Sequence, residues 1–207
     1  MNVSEKESAR QGRQKEGVME SQDLHMHTTY SSGDSSVVGE QTVSLIAELR
    51  YADVMGISDH FDYLVDGVFE QYELELRSHG LYVGVEVDGS PLVDEALLCN
   101  CDYYIYHCRN RKQEYRGLEK LLASEKPVII AHPFMMGTVI EKTPSEGYLE
   151  INNRYIWRHD WRRLLAPWVE SRKFVLSSDA HQPNWINQTV ARYVSCQLGI
   201  KETIIFP

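Results

Sequence analysis

Six of the eight histidines in this 207-residue chain stand in short motifs that also carry carboxylates or close an apolar run. D-L-H-M-H supplies Asp23, His25 and His27, and S-D-H supplies Asp59 and His60. Glu86 lies in G-V-E-V-D, His107 closes Y-I-Y-H, and His132 lies in A-H-P. L-E-I-N-N holds Glu150, Asn152 and Asn153, and S-S-D-A-H ends the series with Asp179 and His181. Side chains two apart on a strand share a face, so the imidazoles of H-x-H can hold one cation. Nitrogen and carboxylate ligands suit Zn, Mn, Fe or Co. A carboxylate such as Glu86 can bridge two cations, and a bridged pair stabilises both the attacking and the leaving oxygen of a phosphoryl displacement. One histidine at a strand end is ordinarily just solvated; the ordered set carries the argument.

The motifs sit at the ends of strand-like runs at 23–27, 54–58, 82–87, 103–107, 128–132, 148–152 and 174–178, rich in Val, Ile, Leu and Tyr. Helix-like stretches lie between most of them. Ser36 with Glu40 is expected to open the first, with Val43, Ile46, Ala47 and Leu49 on one face. The second covers 69–79 and stops at Gly80; the third opens at Pro91 and reaches Leu98; the fourth covers 114–124. A Trp-rich fifth spans 156–170, shortened or kinked by Pro167, and a sixth spans 185–196. Trp157, Trp161 and Trp168 are expected to pack against the sheet, and 204–206 to form a final short strand. Seven strand–helix alternations imply an α/β fold with a parallel sheet, open or closed into a barrel. In such folds the loops after the strands gather at one face, which brings the motifs together.

Composition narrows the class. Hydrophobic residues make up 43% and charged residues 25%, the balance of an ordinary globular domain. The expected organisation is a flexible polar tail over 1–20 and a single domain over 21–207. No apolar run reaches membrane-spanning length, and the N-terminus lacks the apolar stretch of a secretory signal. A net charge of −9 disfavours nucleic-acid partners. Cys99, Cys101, Cys108 and Cys196 show neither a disulfide framework nor a zinc-knuckle spacing. They read as buried or half-buried thiols in a reducing cytoplasm.

In order and content, D-L-H-M-H-T-T-Y-S, I-S-D-H, G-V-E-V, the run ending at His107, A-H-P and S-S-D-A-H resemble the PHP (polymerase and histidinol phosphatase) family across residues 23–183. The resemblance implies a distorted (β/α)7, TIM-like barrel and a metal-dependent phosphoric ester hydrolase with two or three divalent ions: Zn, Mn or Fe. It assigns His25, His27, Glu86 and Asp179 to one cation, Glu86, His107 and His132 to a second, and His60 and His181 to a third. Asp34, in S-S-G-D, lies slightly displaced from the family's usual further ligand for that third ion. Asp59 and Asp23 are expected to orient ligands. Glu86, Asp179, His181 and His60 are the catalytic candidates. Arg154, Arg109 and Asn152 are the substrate-binding candidates, with Arg111 nearby. The segment 135–147 with Lys142 is a candidate lid, and Tyr30, Phe61, Asp62 and Tyr63 are candidate pocket walls.

The implied substrate is a small-molecule phosphomonoester, as for a histidinol phosphatase. A phosphodiesterase or nuclease is the alternative, and a non-catalytic metal-binding regulatory module is a second. The amidohydrolases, which also open with H-x-H, are a poorer match because no lysine sits at a strand end to bridge two metals. The sequence leaves the oligomeric state open.

Overall fold

The computed structural model describes residues 21–206, so the expected tail over 1–20 lies outside the described residues. Seven strands form one all-parallel sheet in sequence order: β1 Gln22–Asp23, β2 Val54–Ile57, β3 Tyr82–Val87, β4 Tyr103–Tyr106, β5 Val128–Ile130, β6 Tyr148–Asn152 and β7 Phe174–Ser177. The two edge strands nearly close it into a barrel. Beyond β1 and β7, Asp179 N donates to His25 O and His27 N to Ala180 O, both at 2.9 Å. Ser178 N donates to the Asp23 carboxylate.

Alternation along the strands makes two apolar layers. Val83, Val85, Tyr104, Tyr106, Leu149 and Ile151 face outward into the larger cluster, packed against the helices. Leu24, Val54, Tyr103, Ile105, Ile129 and Val175 form the smaller cluster inside the barrel. Tyr103 fills the middle and donates to Leu24 O at 2.6 Å. A Cβ at Gly56 or Gly84 would run into that ring, which explains glycine within two interior strands.

The helices are α1 Val43–Leu49, α2 Val68–Ser78, α3 Val93–Ala96, α4 Lys112–Leu122, α5 Pro133–Met136, α6 Trp161–Leu165 and α7 Thr189–Leu198. α1 starts later than expected. Its N-cap is Thr42, whose hydroxyl accepts from Leu45 N, and not Ser36. α2 ends as expected before Gly80 at φ 70°. The expected fifth helix is broken into the turn Ile156–Arg158, α6 and the turn Ala166–Trp168. Asp160 caps α6 through Arg163 N, and Pro167 ends its regular hydrogen bonding. Pro183 likewise gives a short turn, Pro183–Trp185, ahead of α7.

Residues 204–206 do not add a strand. Glu202 makes one parallel bridge to Phe174, and Ile204, Ile205 and Phe206 then pack against the inner cluster, with Phe206 stacked on Tyr82 at 4.1 Å. Within the candidate lid 135–147, the part from Ile140 onward is tied down. Arg172, just before β7, donates to the carbonyls of Ile140, Thr143, Pro144 and Gly147. Three of the four thiols are buried or half-buried, but Cys196 is exposed. Among the described residues no helix is long and apolar enough to cross a membrane.

Candidate metal centre

The C-terminal ends of the strands converge on Glu86, which points inward from β3 and is 1% exposed. Its Oε1 lies 3.1 Å from His25 Nε2, 2.7 Å from His107 Nε2 and 3.8 Å from His132 Nε2. Its Oε2 lies 3.4 Å from His27 Nε2 and 2.9 Å from His60 Nδ1. Asp179 Oδ1 lies 3.7 and 3.6 Å from the Nε2 atoms of His25 and His27. Three sets bring their ligand atoms close enough for a shared ion: His25, His27 and Glu86; Glu86, His107 and His132; and His27, His60 and His181. Asp34 Oδ2 stands 3.0 Å from His181 Nε2 and 3.4 Å from His60 Nε2.

Local backbone explains the convergence. The regular part of β1 ends at Asp23, and alternation slips there: Leu24 joins the inner cluster and Met26 the outer one. The Asp23 carboxylate takes Ser178 N, His25 N and the Tyr51 hydroxyl. It therefore braces the β1–β7 seam and orients no histidine ring. Asp59 likewise accepts from Thr28 N at 2.7 Å, Thr28 Oγ1 at 2.6 Å and Ser31 Oγ at 2.6 Å. It fixes the loop after H-x-H. His132 and Asp179 adopt positive φ of 22° and 54°, a sparsely populated region where strain tends to gather at functional sites.

Two carboxylates that orient imidazoles received no such role from sequence. Glu150 Oε1 lies 2.6 Å from His25 Nδ1, and Asp88 Oδ1 lies 2.8 Å from His107 Nδ1. A carboxylate facing Nδ1 accepts a hydrogen bond from Nδ1–H, which fixes the tautomer that leaves Nε2 as a lone pair. Those lone pairs then face others: His25 Nε2 is 3.2 Å from His27 Nε2, and His107 Nε2 is 3.1 Å from His132 Nε2. Paired acceptors aimed at a carboxylate need a cation or a proton between them. His27 Nδ1 and His132 Nδ1 are also buried without a hydrogen-bond partner. The donor set therefore fits divalent metal ions.

The electrostatics agree. Burial alone would lower the His25 imidazole, but Glu150, Asp179 and Glu86 outweigh it and hold it well above its ordinary value. Against the same burial, Glu86 lifts His60 to about 9, and Glu86 with Asp88 lifts His107 to about 10. Burial and the neighbouring His107 push His132 down to about 3. Burial and Arg154 push His181 to about 4, and burial with His181 and His60 keeps His27 well below its ordinary value. Burial would raise Glu86, but His107, His25 and His60 hold it well below the carboxylate range. Without metal, protonated and neutral imidazoles therefore interleave around one carboxylate. An entering cation would displace those protons.

The substrate-binding candidates divide. Arg154 reaches the centre, with Nη1 3.2 Å from both ring nitrogens of His181 and 3.7 Å from Asp179 Oδ1. Arg109 is paired with Asp88 at 2.5 Å in an open cleft of about 380 Å³ that also includes Asp34, His60 and Tyr63. Asn152 donates to Glu150 Oε2 and Asp179 Oδ2, both at 3.0 Å, which leaves it no free donor for a ligand and makes it a positioning residue. Lys142 instead bonds Asn110 at 3.1 Å on the outer surface. Tyr30 packs on Tyr72 and donates to Glu75, and Phe61 is buried, so of the four expected walls Asp62 and Tyr63 border the mouth. Trp157 is not packed away but 61% exposed beside Arg154. No family model and no curated protein matches the chain.

Proposed function

We propose that the protein is a metal-dependent phosphoesterase of the PHP type that hydrolyses small-molecule phosphomonoesters. The observation that carries this reading is the convergence on Glu86 of histidines from four strand ends, two of them with their tautomer set by Glu150 and Asp88. His25, His27, Glu86 and Asp179 would hold one ion and Glu86, His107 and His132 another; His60 and His181, with Asp34 beside them, offer a third place. Bound divalent ions supply Lewis acidity and a water made acidic enough to react near neutral pH.

The remaining work falls to the chain's own groups. Glu86 sets Oε1 among His25, His107 and His132 and Oε2 against His27 and His60, so one carboxylate serves both ligand sets. The Arg154 guanidinium, between His181 and Asp179, grips a phosphoryl oxygen and compensates its charge. Asp179 Oδ1 accepts a proton from the attacking water. His60, which lines the open cleft, or the buried His181 returns a proton to the leaving alkoxide. Asn152 holds Glu150 and Asp179 in register from below.

The test compares initial rates on a generic aryl phosphomonoester and diester. The protein is stripped of metal and reloaded with Mn, Zn, Fe or Mg, with His132→Ala as control. Metal-dependent monoester turnover that the control loses is the expected result. Preference for the diester would shift the reading to a phosphodiesterase, and no turnover of either would overturn it.

A further inference from the structure

Two clefts of similar size open beside the centre, and they differ in charge. The first, with Asp34, Asp62 and Asp88 against the single Arg109, is acidic. The second, about 340 Å³, is lined by Arg154 and Arg158 with Trp157, Trp185 and two asparagines, and has no acidic side chain in its wall. In a chain of net charge −9, a cleft with two guanidiniums and no carboxylate is a local reversal of sign.

The second cleft is also built. The Trp157 indole is 61% exposed, yet its Nε1 donates to Arg154 O at 2.9 Å, which fixes the ring. The Arg158 guanidinium lies over Trp157 at 5.2 Å and over Tyr155 at 5.1 Å, so it is held between two rings. The Arg154 guanidinium is held similarly, at 4.9 Å from Trp185 and 5.0 Å from Tyr155. Asn153 forms the floor: its Oδ1 accepts from Val190 N and Ala191 N at the start of α7. A rigid exposed indole is a stacking platform, and a guanidinium braced by aromatic rings loses little freedom on binding an anion. Arg154 joins the cleft to the centre, since its Nη1 touches His181.

From this geometry we infer that the Trp157–Arg158–Trp185 cleft is the leaving-group subsite, and that it selects phosphomonoesters whose leaving group is an aromatic ring bearing a second negative charge. The inference rests on the phosphoesterase reading and narrows its substrate class. The phosphoryl group sits between the metal ligands and Arg154, the ring lies on Trp157, and the second anion meets Arg158.

The test uses the metal-loaded enzyme and two isosteric probes, 4-carboxyphenyl phosphate and the neutral 4-carbamoylphenyl phosphate. The wild type is expected to prefer the carboxylate by about fivefold in kcat/KM, the upper range for a solvent-exposed ion pair. Arg158→Met is expected to bring the ratio to about one, and Arg158→Lys to keep part of it. Trp157→Ala is expected to raise KM for both aryl esters more than it lowers kcat. Because the ratio is taken within each variant, partial misfolding cancels. Equal rates on both probes in the wild type, or a preference that survives Arg158→Met, would overturn the subsite while leaving the phosphoesterase reading intact. Failure to hydrolyse either probe or a generic aryl monoester with any metal would overturn both.

Discussion

The barrel's two ends are built from the same seven strands and filled in opposite ways. At the N-terminal end Tyr82, Tyr103 and Tyr148 meet Ile204, Ile205 and Phe206, and most polar groups there find partners, Glu202 Oε1 excepted. Gln22 accepts Ile205 N at 2.9 Å, and Gln188 donates to Gln22 O and Leu176 O. At the C-terminal end six imidazoles and three buried carboxylates share a small volume, and several of their atoms have no partner. One end lowers the free energy of folding by burying apolar surface. The other holds a charge arrangement that only protons or cations can balance. Stability and ligand chemistry are thus spatially separated along one axis, and substitutions should separate them too.

The largest expected effect is at Glu86. Glu86→Gln removes the carboxylate that faces histidines of both ligand sets. Metal content after gel filtration, read by inductively coupled plasma mass spectrometry, should fall to background and hydrolysis by at least about a thousandfold, with the metal-free protein melting no lower than the metal-free wild type. A lower melting point would mean that this end also carries the fold.

The mirror experiment is Tyr103→Ala. It empties the middle of the barrel, costs about 3–5 kcal/mol and lowers the melting temperature by about 10 °C. Metal stoichiometry of the folded protein should be unchanged. Between these lies Glu150→Gln, which weakens the hold on the His25 Nδ1 proton and should weaken metal binding by roughly 10–100-fold, read by competition with a chelator.

The smallest effect concerns pH at the closed end. Glu202 is half-buried near Arg192 with Oε1 enclosed and unpartnered, and burial raises its carboxyl above the ordinary 4.5, more than Arg192 lowers it. A raised carboxylate pKa favours folding below the unfolded value, and that contribution is lost as pH rises through the folded value. Glu202→Gln should therefore raise the melting temperature by up to about 3 °C at pH 7–8, and the gain should shrink as pH approaches 4.5. Calorimetry at several pH values reads it directly.

The strands were legible because each is a short run of β-branched and aromatic residues whose alternation separates Val83, Val85 and Val87 from Tyr82, Gly84 and Glu86. The same alternation set the histidine motifs at the strand ends. Glu150 shares its inward face with Tyr148 and Asn152, so the pattern located it, but its role depends on a partner 125 residues away. Asp88 had a weaker signal still, since it meets His107 only through β3–β4 pairing. The Trp-rich segment misled because tryptophan at helical spacing reads as core. Asp160 and Pro167 break that helix, and Trp157 is released to the mouth. Segment 204–206 misled because β-branched residues favour strands, whereas here the chain makes one bridge to β7 at Glu202 and then turns in to fill the end of the barrel.

The central claim is that Glu86 lies at the middle of a multinuclear metal centre. Anomalous diffraction from crystals of the metal-loaded protein, recorded at the absorption edge of the metal, tests it most directly. The account predicts two strong peaks flanking Glu86, one within ligand distance of His25 and His27 and one within ligand distance of His107 and His132. An anomalous map with no peak there, and imidazoles bonded directly to Glu86 in its place, would contradict it.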